Sequence, residues 1–276
     1  MKPFIVKSFC KVNLGLKIIS RINDGYHNIN SIFIEISLHD IIEIYQSSHL
    51  KIQFSNLEIS NSNTVNKAVK IFSKYCDIDV KKKILINKNI PIGAGLGGGS
   101  SNAAYTLLAL NKIYNTEITN QVLEELGRTI GSDVPFFIRG GIKEVSGTGD
   151  KIKGINFSSI KGKAFLLVMP NFSISTKWAY GKIKKELYAD KNNTKFSPLD
   201  DRVDWTLFEN VFEHIVCLAY PEILDIKNTL YDKGSLYSGL SGSGSTMFGI
   251  YNDIKAAENA AKFLKQYHTF IAFPNI

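Results

Sequence analysis

The glycine-rich segment in the middle of the chain constrains the fold more than any other feature of the sequence. It reads Pro91-Ile-Gly-Ala-Gly-Leu-Gly-Gly-Gly-Ser-Ser-Asn-Ala-Ala104 and places five glycines in seven positions, between a predicted strand over 83–88 and a predicted helix over 100–114. Glycines let the backbone approach a ligand closely, and the dipole and N–H groups of a helix N-terminus favour anions. A simple strand-to-helix turn needs fewer glycines, so the segment predicts a phosphate-binding loop.

Two common nucleotide-binding motifs resemble this loop without matching it. The spacing Gly93-x-Gly95-x-x-Gly98 fits a dinucleotide fingerprint, but that motif also needs a following strand with an acidic residue about 20 positions on, where this sequence predicts helix. A Walker A loop would have Lys-Ser/Thr where Gly99-Ser100 stands, and the protein-kinase Lys, HRD and DFG elements are absent. The loop is therefore a different kind of phosphate site.

The first half of the chain predicts a mixture of strands and helices without a regular alternation, which is typical of an α+β fold. Short β-branched and aromatic runs predict strands over 4–6, 32–36 and 41–45, with a turn at Asn23-Asp-Gly25 after the first of them. Apolar residues on one face predict a helix that follows Asn63-Thr64 and ends near Tyr75. A further helix over 121–130 is expected to end with Gly131 as its C-terminal cap.

The second half repeats this mixture from about residue 152. The predicted elements are a strand over 164–169, a helix over 176–188, a polar stretch over 190–201, helices over 205–218 and 221–233, a strand over 245–251, a helix over 254–266 and a final strand. The turn Gly147-Thr-Gly-Asp150 and Gly154 interrupt the pattern between the halves. We therefore predict two α+β domains, residues 1–152 and 153–276, with a cleft between them.

The net charge of +8 is spread evenly, which limits the partners we expect. Residues 1–150 carry 17 basic and 13 acidic side chains, and residues 151–276 carry 16 and 12. Nucleic-acid-binding chains usually concentrate their excess charge in one module or tail, whereas only Lys81-Lys-Lys83 forms a basic run here. The distribution favours anionic small-molecule ligands and predicts no nucleic-acid partner.

Cysteine content and hydropathy predict a cytoplasmic protein. Cys10, Cys76 and Cys217 are far apart and lack the spacing of metal ligands, so we expect reduced thiols and no metal held by a protein cluster. No apolar run approaches the roughly 20 residues of a membrane helix, so no membrane partner is expected. Lys7 and Lys11 interrupt the apolar residues near the N-terminus, which is not typical of a signal peptide.

Asp133 is the candidate proton acceptor. It follows Gly131 and precedes Val134-Pro135, and the residue before a proline is biased towards extended backbone, which can project a carboxylate from a helix end. On the residues alone, an aspartate in a surface loop explains this pattern equally well. Lys11, among apolar strand residues, is by itself more typical of a strand edge.

Three separated segments together resemble the small-molecule kinase superfamily that includes galactokinase, homoserine kinase and mevalonate kinase. The glycine-rich loop is similar to its ATP-binding motif, and its other two motifs resemble Lys11-Val-Asn13 with Asp24-Gly-Tyr-His27, and Gly239-Leu-Ser-Gly-Ser-Gly-Ser-Thr246. Together with Gly131-Ser-Asp-Val-Pro135, the set resembles one branch in particular, the kinases that act on a cytidine diphosphate-linked alcohol in the non-mevalonate route to isoprenoids.

The likeness runs from about Phe4 to Phe248, with small departures. Ala94 stands where glycine is common, Val211 follows Asn210 where Asn-Asp is usual, and the tail after Tyr267 is unusual. These departures leave the expected chemistry unchanged.

The resemblance implies a two-lobed fold, with a ribosomal-protein-like N-terminal lobe, a ferredoxin-like C-terminal lobe and the active site in the cleft. It implies ATP as phosphoryl donor and Asp133 as general base, with Lys11 beside it as electrostatic partner. Magnesium is expected to be held mainly by the ATP phosphates, with help from Ser100 or Ser101. A monomer or weak homodimer is expected.

The resemblance also implies two sets of binding residues. Tyr26 and Tyr180 are expected to stack on the cytosine ring, and His27 to hydrogen-bond its edge. The complete acceptor-binding set is Asn13, Tyr26, His27, Thr176 and Tyr180. The complete ATP-binding set is Asn63, Lys88, Pro91, Ile92, Gly93, Ala94, Gly95, Leu96, Gly97, Gly98, Gly99, Ser100 and Ser101, of which Asn63 and Lys88 are expected near the adenine.

Two alternatives remain open at this point. A sibling kinase for homoserine, mevalonate or a sugar would share the loop, although Asp24-Gly-Tyr-His27 suits a substrate that carries a nucleobase. An RNA-binding module is conceivable because the N-terminal lobe of the superfamily resembles a ribosomal protein domain, but the even charge distribution argues against it.

Overall fold

The structure is a computed structural model that describes residues 2–22, 26–55, 63–189, 196, 199 and 203–276. Two sheets with accompanying helices make up the described part of the chain, which confirms the predicted α+β class. The predicted turn at Asn23-Asp-Gly25 and most of the polar stretch over 190–201 lie outside the described residues.

The first sheet contains two long strands and four shorter ones. It has the order β3-β4-β2-β5-β6, and β1 pairs with β2. Its strands are β1 (Phe4–Arg21), β2 (His27–Gln46), β3 (Lys51–Phe54), β4 (Lys82–Asn87), β5 (Ile142–Gly147) and β6 (Lys151–Gly154). The helices within the same stretch of sequence are α1 (Thr64–Cys76), α2 (Gly98–Tyr114), α3 (Asn120–Arg128) and α4 (Val134–Arg139).

The second sheet is antiparallel throughout, in the order β10-β7-β9-β8. Its strands are β7 (Ala164–Met169), β8 (Tyr237–Leu240), β9 (Met247–Tyr251) and β10 (His268–Ala272). Its helices are α5 (Thr176–Lys182), α6 (Glu213–Ala219), α7 (Pro221–Asp232) and α8 (Ile254–Ala261). Because helices separate β7 from β8 and β9 from β10, the order is that of a ferredoxin-like βαββαβ unit, as the resemblance implied.

The chain divides into two compact units that are not continuous in sequence. Unit 1 comprises Met1–Cys10, Leu38–Ile92 and Gly97–Gly140, and unit 2 comprises Lys11–Ser37, Gly93–Leu96 and Gly141–Ile276. The long strands β1 and β2 and the glycine-rich loop therefore contribute to each unit. The predicted domain division at 152/153 and the expected cleft stay predictions.

Amphipathic patterning and capping explain α1, which the sequence predicted. The Asn63 side chain accepts a hydrogen bond from the Asn66 N–H at 2.9 Å and so caps the first turn. The apolar face over 65–72 is buried, and Phe72 packs against Tyr114 of α2 with ring centroids 6.0 Å apart. This packing joins α1 to the C-terminal end of α2 in the core of unit 1.

The core of unit 2 lies between the second sheet and its helices. Every residue of β7 and β9 is buried, which is typical of central strands covered on both faces. The apolar sides of α7 and α8 pack on this sheet through Ile223, Ile226 and Leu230 and through Ala257 and Ala260. The core also takes in Leu16 and Ile18 of β1.

Several predicted boundaries were wrong. The runs over 32–36 and 41–45 form one strand, β2, because the intervening residues hold extended backbone with Leu38 and Asp40 buried. Helix α3 ends at Arg128 rather than at Ile130, and its C-cap is Thr129, whose hydroxyl donates to the Leu126 carbonyl at 2.6 Å.

The helices of the second half are shorter than predicted. Helix α5 ends at Lys182 because Ile183 is extended, and a separate 3₁₀ turn follows over Lys185–Leu187. Helix α6 begins only at Glu213, since the Asn210 side chain accepts from the Phe212 N–H and forms a turn there instead. Helix α8 ends at Ala261. Strands β3, β5, β6 and β8 and helix α4 were not predicted.

The cysteines agree with the prediction from sequence. All three lie in the described part of the chain and keep their thiols. Among the described residues, no helix has the length and apolar character needed to cross a membrane.

Candidate active site

The N-terminus of α2 is the centre of the predicted phosphate site in unit 1. Its N-cap is Gly97, which adopts a left-handed conformation with φ of 71° and has no side chain to accept from the first-turn N–H groups. An anionic ligand can take that role. The next residue is Gly98. A Cβ at this position would lie 2.9 Å from Ile90 and 3.3 Å from the Lys88 Nζ, so only glycine fits without displacing a neighbour.

A second helix N-terminus lies beside the first. The hydroxyl of Thr64, the first residue of α1, donates to the Gly99 carbonyl at 2.7 Å. Two positive helix-dipole ends therefore meet at one place in unit 1, which strengthens its preference for an anion. Asn63, predicted near the adenine, stands at this junction as the α1 N-cap.

A buried carboxylate, Asp40, fixes both ends of the loop. Its Oδ1 accepts from the backbone N–H groups of Asn89 at 2.7 Å and Ile90 at 2.8 Å, where the chain leaves β4. Its Oδ2 accepts from the Asn102 Nδ2 of α2 at 2.9 Å and pairs with the Lys88 ammonium group. Lys88, predicted to bind ATP, therefore lies in a buried ion pair next to the loop.

The two serines at the start of α2 differ. The Ser101 hydroxyl is buried against β1, 2.7 Å from the Ser8 hydroxyl, and also donates to the Phe9 carbonyl. Ser100 is partly exposed, and a Cβ built on Gly131 would lie 3.5 Å from its Oγ. The segment that carries Asp133 therefore runs beside the first turn of α2.

Asp133 occupies the N-cap position of α4 and is partly exposed. Its backbone is helical, with φ of −86° and ψ of −10°, and Val134, the residue before the proline, begins α4, so the predicted extended geometry was wrong. Pro135 lies in the first turn of the helix, where its missing N–H removes no intrahelical hydrogen bond.

Helix α3 holds this aspartate in place through α4. The Arg139 guanidinium of α4 binds the Glu124 carboxylate of α3 through two hydrogen bonds of 2.7 and 2.8 Å, and the pKa of Arg139 is raised chiefly by them. The helices also pack tightly at Gly127, where a Cβ would lie 2.8 Å from Val134. Because α4 is a single short helix, these contacts set the position of Asp133.

In unit 2, Lys11 is buried on β1 with only 4% of its surface exposed. Its ammonium group donates to the Asn13 Oδ1 and, at 3.2 Å, to the Gly95 carbonyl, and it lies 4.9 Å from the centre of the Phe33 ring. Asn13 is buried as well. Lys11 therefore points towards the first half of the glycine-rich loop rather than to a strand edge.

The third motif holds that half of the loop. The Ser241 hydroxyl donates to the Gly95 carbonyl at 3.0 Å, and the Thr246 N–H donates to the Ala94 carbonyl at 3.2 Å. Gly95 has φ of 77°, and a Cβ there would lie 2.1 Å from the Ser241 carbonyl oxygen. A Cβ on Gly242 would lie 3.6 Å from the Lys11 Nζ, so the three motifs meet at this lysine.

The predicted acceptor-binding residues also lie in unit 2, and two of them are in contact. The His27 ring packs against Tyr180 with centroids 5.2 Å apart, and Tyr180 packs edge-on against Phe212 at 4.8 Å. Thr176 shares a hydrogen bond of 3.0 Å with Ser243 of the third motif. Tyr26 is exposed, at 65% of its surface.

The surroundings of His27 favour its neutral form. Burial lowers its pKa below 6.5, and the positive charge of Arg21 lowers it further. The described residues offer its buried Nδ1 no hydrogen-bond partner, although buried polar atoms normally have one.

Sequence reasoning missed the residues that support these sites. Asp40, Ser31 and Asn210 are buried polar residues, and Asn210 donates to the carbonyls of Leu240 at 2.7 Å and Gly242 at 2.8 Å. The sequence feature that could have identified Asp40 is a polar residue inside an otherwise apolar strand. The described residues contain no group of three or more His, Cys, Asp or Glu side chains that could hold a metal ion.

Comparison with known proteins indicates the family of this chain. Residues 63–141 match the family model described as the GHMP kinases N terminal domain, and residues 205–269 match the GHMP kinases C terminal model. A 4-diphosphocytidyl-2-C-methyl-D-erythritol kinase from Thermodesulfovibrio yellowstonii is 38% identical over 276 residues, which cover 95% of this chain and 94% of that protein.

Solved structures give the same result. A crystal structure of 4-(cytidine 5'-diphospho)-2C-methyl-D-erythritol kinase matches with a TM-score of 0.83 and 28% identity, covering 98% of both chains. A homoserine kinase from Cytophaga hutchinsonii shares the fold, with a TM-score of 0.75, 15% identity and coverage of 98% of this chain and 95% of that one. The chain thus belongs to the GHMP kinases, and within them to the family of 4-diphosphocytidyl-2-C-methyl-D-erythritol kinases.

Proposed function

We propose that this enzyme transfers the γ-phosphoryl group of ATP to the 2-hydroxyl of 4-diphosphocytidyl-2-C-methyl-D-erythritol, giving the 2-phosphate and ADP in the non-mevalonate route to isoprenoid precursors. The observation that carries the choice of substrate is the buried, neutral His27 packed against Tyr180, with its Nδ1 unpartnered among the described residues. A nucleobase offers both a ring to stack and an edge to hydrogen-bond, which homoserine and mevalonate lack.

The ATP phosphates bind at the glycine-rich loop and the N-terminus of α2. The support is the glycine N-cap of α2 and the adjoining N-terminus of α1, which together supply N–H donors and positive dipole ends. Magnesium, carried mainly by the phosphates, is held on the protein side by the Ser100 hydroxyl, since the Ser101 hydroxyl already bonds to β1.

Asp133 acts as the general base and Lys11 as its electrostatic partner. As the substrate oxygen bonds to the γ-phosphorus, its proton passes to the Asp133 carboxylate, and the bond to the bridging oxygen breaks to release ADP. The Lys11 ammonium group stabilises the negative charge that develops on the transferred group. The buried position of Lys11 supports this role, because charges interact more strongly away from water.

The acceptor is recognised through its cytosine. Tyr26 and Tyr180 stack on the ring, His27 binds its edge, and Thr176 and Asn13 contact the rest of the molecule. The exposed Tyr26 ring supports this assignment, since stacking on a ligand would bury it. We further propose that the enzyme works in the cytoplasm as a monomer or weak homodimer, without a nucleic-acid or membrane partner.

The reaction is tested by ATP turnover with the diphosphocytidyl compound, homoserine and mevalonate in parallel, with the phosphate position on the product assigned by phosphorus NMR. We expect rapid turnover with the first compound only and a new phosphate on its 2-oxygen. More efficient turnover of homoserine or mevalonate would reject the substrate while leaving a kinase.

A further inference from the structure

We infer that Ser31 is a positioning residue for Lys11, acting through the side-chain amide of Asn13. The inference rests on the role proposed above for Lys11. Ser31 lies on β2, and Lys11, Asn13 and Gly15 lie on the adjacent strand β1. All three polar side chains are buried, with exposures of 0% for Ser31, 1% for Asn13 and 4% for Lys11.

The Gly15 carbonyl decides which group donates in each of these hydrogen bonds. A carbonyl oxygen can only accept, so the Ser31 hydroxyl donates its one proton to the Gly15 carbonyl, at 2.6 Å. The Ser31 oxygen is then left as an acceptor, and the Asn13 Nδ2 donates to it at 3.0 Å. The amide can therefore present only its Oδ1 to the Lys11 ammonium group.

Without the Ser31 hydroxyl, the Asn13 Nδ2 is a buried donor that has lost its acceptor. The Lys11 ammonium group still requires the Oδ1, but nothing then anchors the other end of the amide. We expect the Asn13 side chain to shift towards another acceptor, and the ammonium group that is bonded to it to move as well.

The rate of phosphoryl transfer depends on where the Lys11 ammonium group lies. Asn13 Oδ1, the Gly95 carbonyl at 3.2 Å and the Phe33 ring at 4.9 Å hold it from three directions. Electrostatic stabilisation of a transition state depends on donors that are already in place, and small displacements lower the rate strongly. Ser31 should therefore affect kcat much more than the KM for ATP.

The test compares Ser31→Val with Ser31→Thr, because the two side chains have nearly the same shape and only threonine keeps the hydroxyl. We expect kcat to fall on the order of 10- to 100-fold in Ser31→Val, with the KM for ATP little changed, and to return close to wild type in Ser31→Thr. Ser238→Ala is the matched control, since Ser238 is a buried serine of unit 2 whose hydroxyl finds no partner among the described residues. It should leave kcat unchanged.

A double-mutant cycle with Ser31→Ala and Lys11→Ala separates this inference from the role of Lys11, and it needs no bulky substitution. If Ser31 acts through Lys11, Ser31→Ala lowers kcat in the wild type and not in Lys11→Ala. Equal losses in both backgrounds, a loss in Ser31→Thr equal to that in Ser31→Val, or a change in KM alone would overturn the inference. A normal kcat in Lys11→Ala would instead reject the proposed role of Lys11.

Discussion

A carboxylate that accepts a proton must be both accessible to its substrate and fixed in position, and Asp133 meets both conditions within unit 1. It is partly exposed at the N-cap of α4, and the pair between Arg139 and Glu124 ties that helix to α3. Because other residues set the position of Asp133, a substitution confined to its carboxylate should lower the rate of the reaction and leave the structure unchanged.

We expect Asp133→Asn to lower kcat by on the order of 10²–10⁴-fold, because the amide keeps the shape but cannot take the proton. Affinity for ATP, measured by calorimetry, should change little. Asp79→Asn, at an aspartate of the same unit whose side chain is 81% exposed, should behave as wild type. Near-normal turnover in Asp133→Asn would show that another group accepts the proton.

His27 makes the pH dependence of acceptor binding predictable. Burial, followed by the charge of Arg21, keeps its pKa below 6.5, so the imidazole stays neutral at neutral pH and becomes charged only in acid. Affinity for cytidine diphosphate should be constant above neutrality and should fall as the pH drops through the lowered pKa. Calorimetry across this range, with His27→Gln as the variant that should lose the dependence, checks the expectation. An affinity that rises in acid would contradict it.

At the scale of elements, the conformation of the glycine-rich loop depends on the residues that bind its two ends and its middle. Asp40 joins the end of β4 to the start of α2, and the third motif binds the carbonyls of Ala94 and Gly95. The loop is therefore fixed by partners distant in sequence as well as by its own glycines.

Gly95→Ala should abolish most ATP binding, since a Cβ there would lie 2.1 Å from the Ser241 carbonyl and force the loop away from the third motif. Gly162→Ala is the matched control: Gly162 also has a positive φ, of 74°, but a Cβ there would meet nothing within 4 Å. It should lower stability by about 1 kcal/mol and leave turnover intact. If both variants bind ATP equally well, the contact with Ser241 has no role in binding.

Asp40→Asn should lower the free energy of unfolding by about 3–5 kcal/mol, because it leaves the Lys88 ammonium group buried without its counter-charge. The Lys88 side chain is only 7% exposed, so water cannot compensate. Asp79→Asn breaks an exposed pair with Lys81 and should change stability by at most about 1 kcal/mol. Urea denaturation measures both, and equal effects would mean that the Asp40 pair is not buried in solution.

At the scale of the whole molecule, local signals were readable from the sequence and long-range contacts were not. Helix α2 and the buried face of α1 follow from residues close together in the chain, and the structure confirms both. The contacts of Tyr180 with His27 and of Ser241 with Gly95 join distant segments. No spacing rule reveals such partners, so only the resemblance to a family indicated that these residues belong together.

Predictions from short sequence signals were also wrong at two helix ends. Gly131 was expected to cap α3, but Thr129 is the C-cap, and its hydroxyl donates to the Leu126 carbonyl. Pro135 was expected to extend the backbone before it, yet Val134 already begins α4. A proline in the first turn is tolerated there because it gives up no intrahelical hydrogen bond. Both errors lie beside Asp133, so the sequence identified this residue but not its geometry.

Inhibition by cytidine diphosphate tests the central claim, that the acceptor is recognised through its cytidine, most directly. Stacking of a base on an aromatic ring contributes on the order of 1–3 kcal/mol, so Tyr180→Ala should weaken this inhibition by roughly 5- to 150-fold. In the unaltered enzyme, cytidine diphosphate should compete with the acceptor and not with ATP. Competition with ATP alone, or no inhibition at all, would contradict the account.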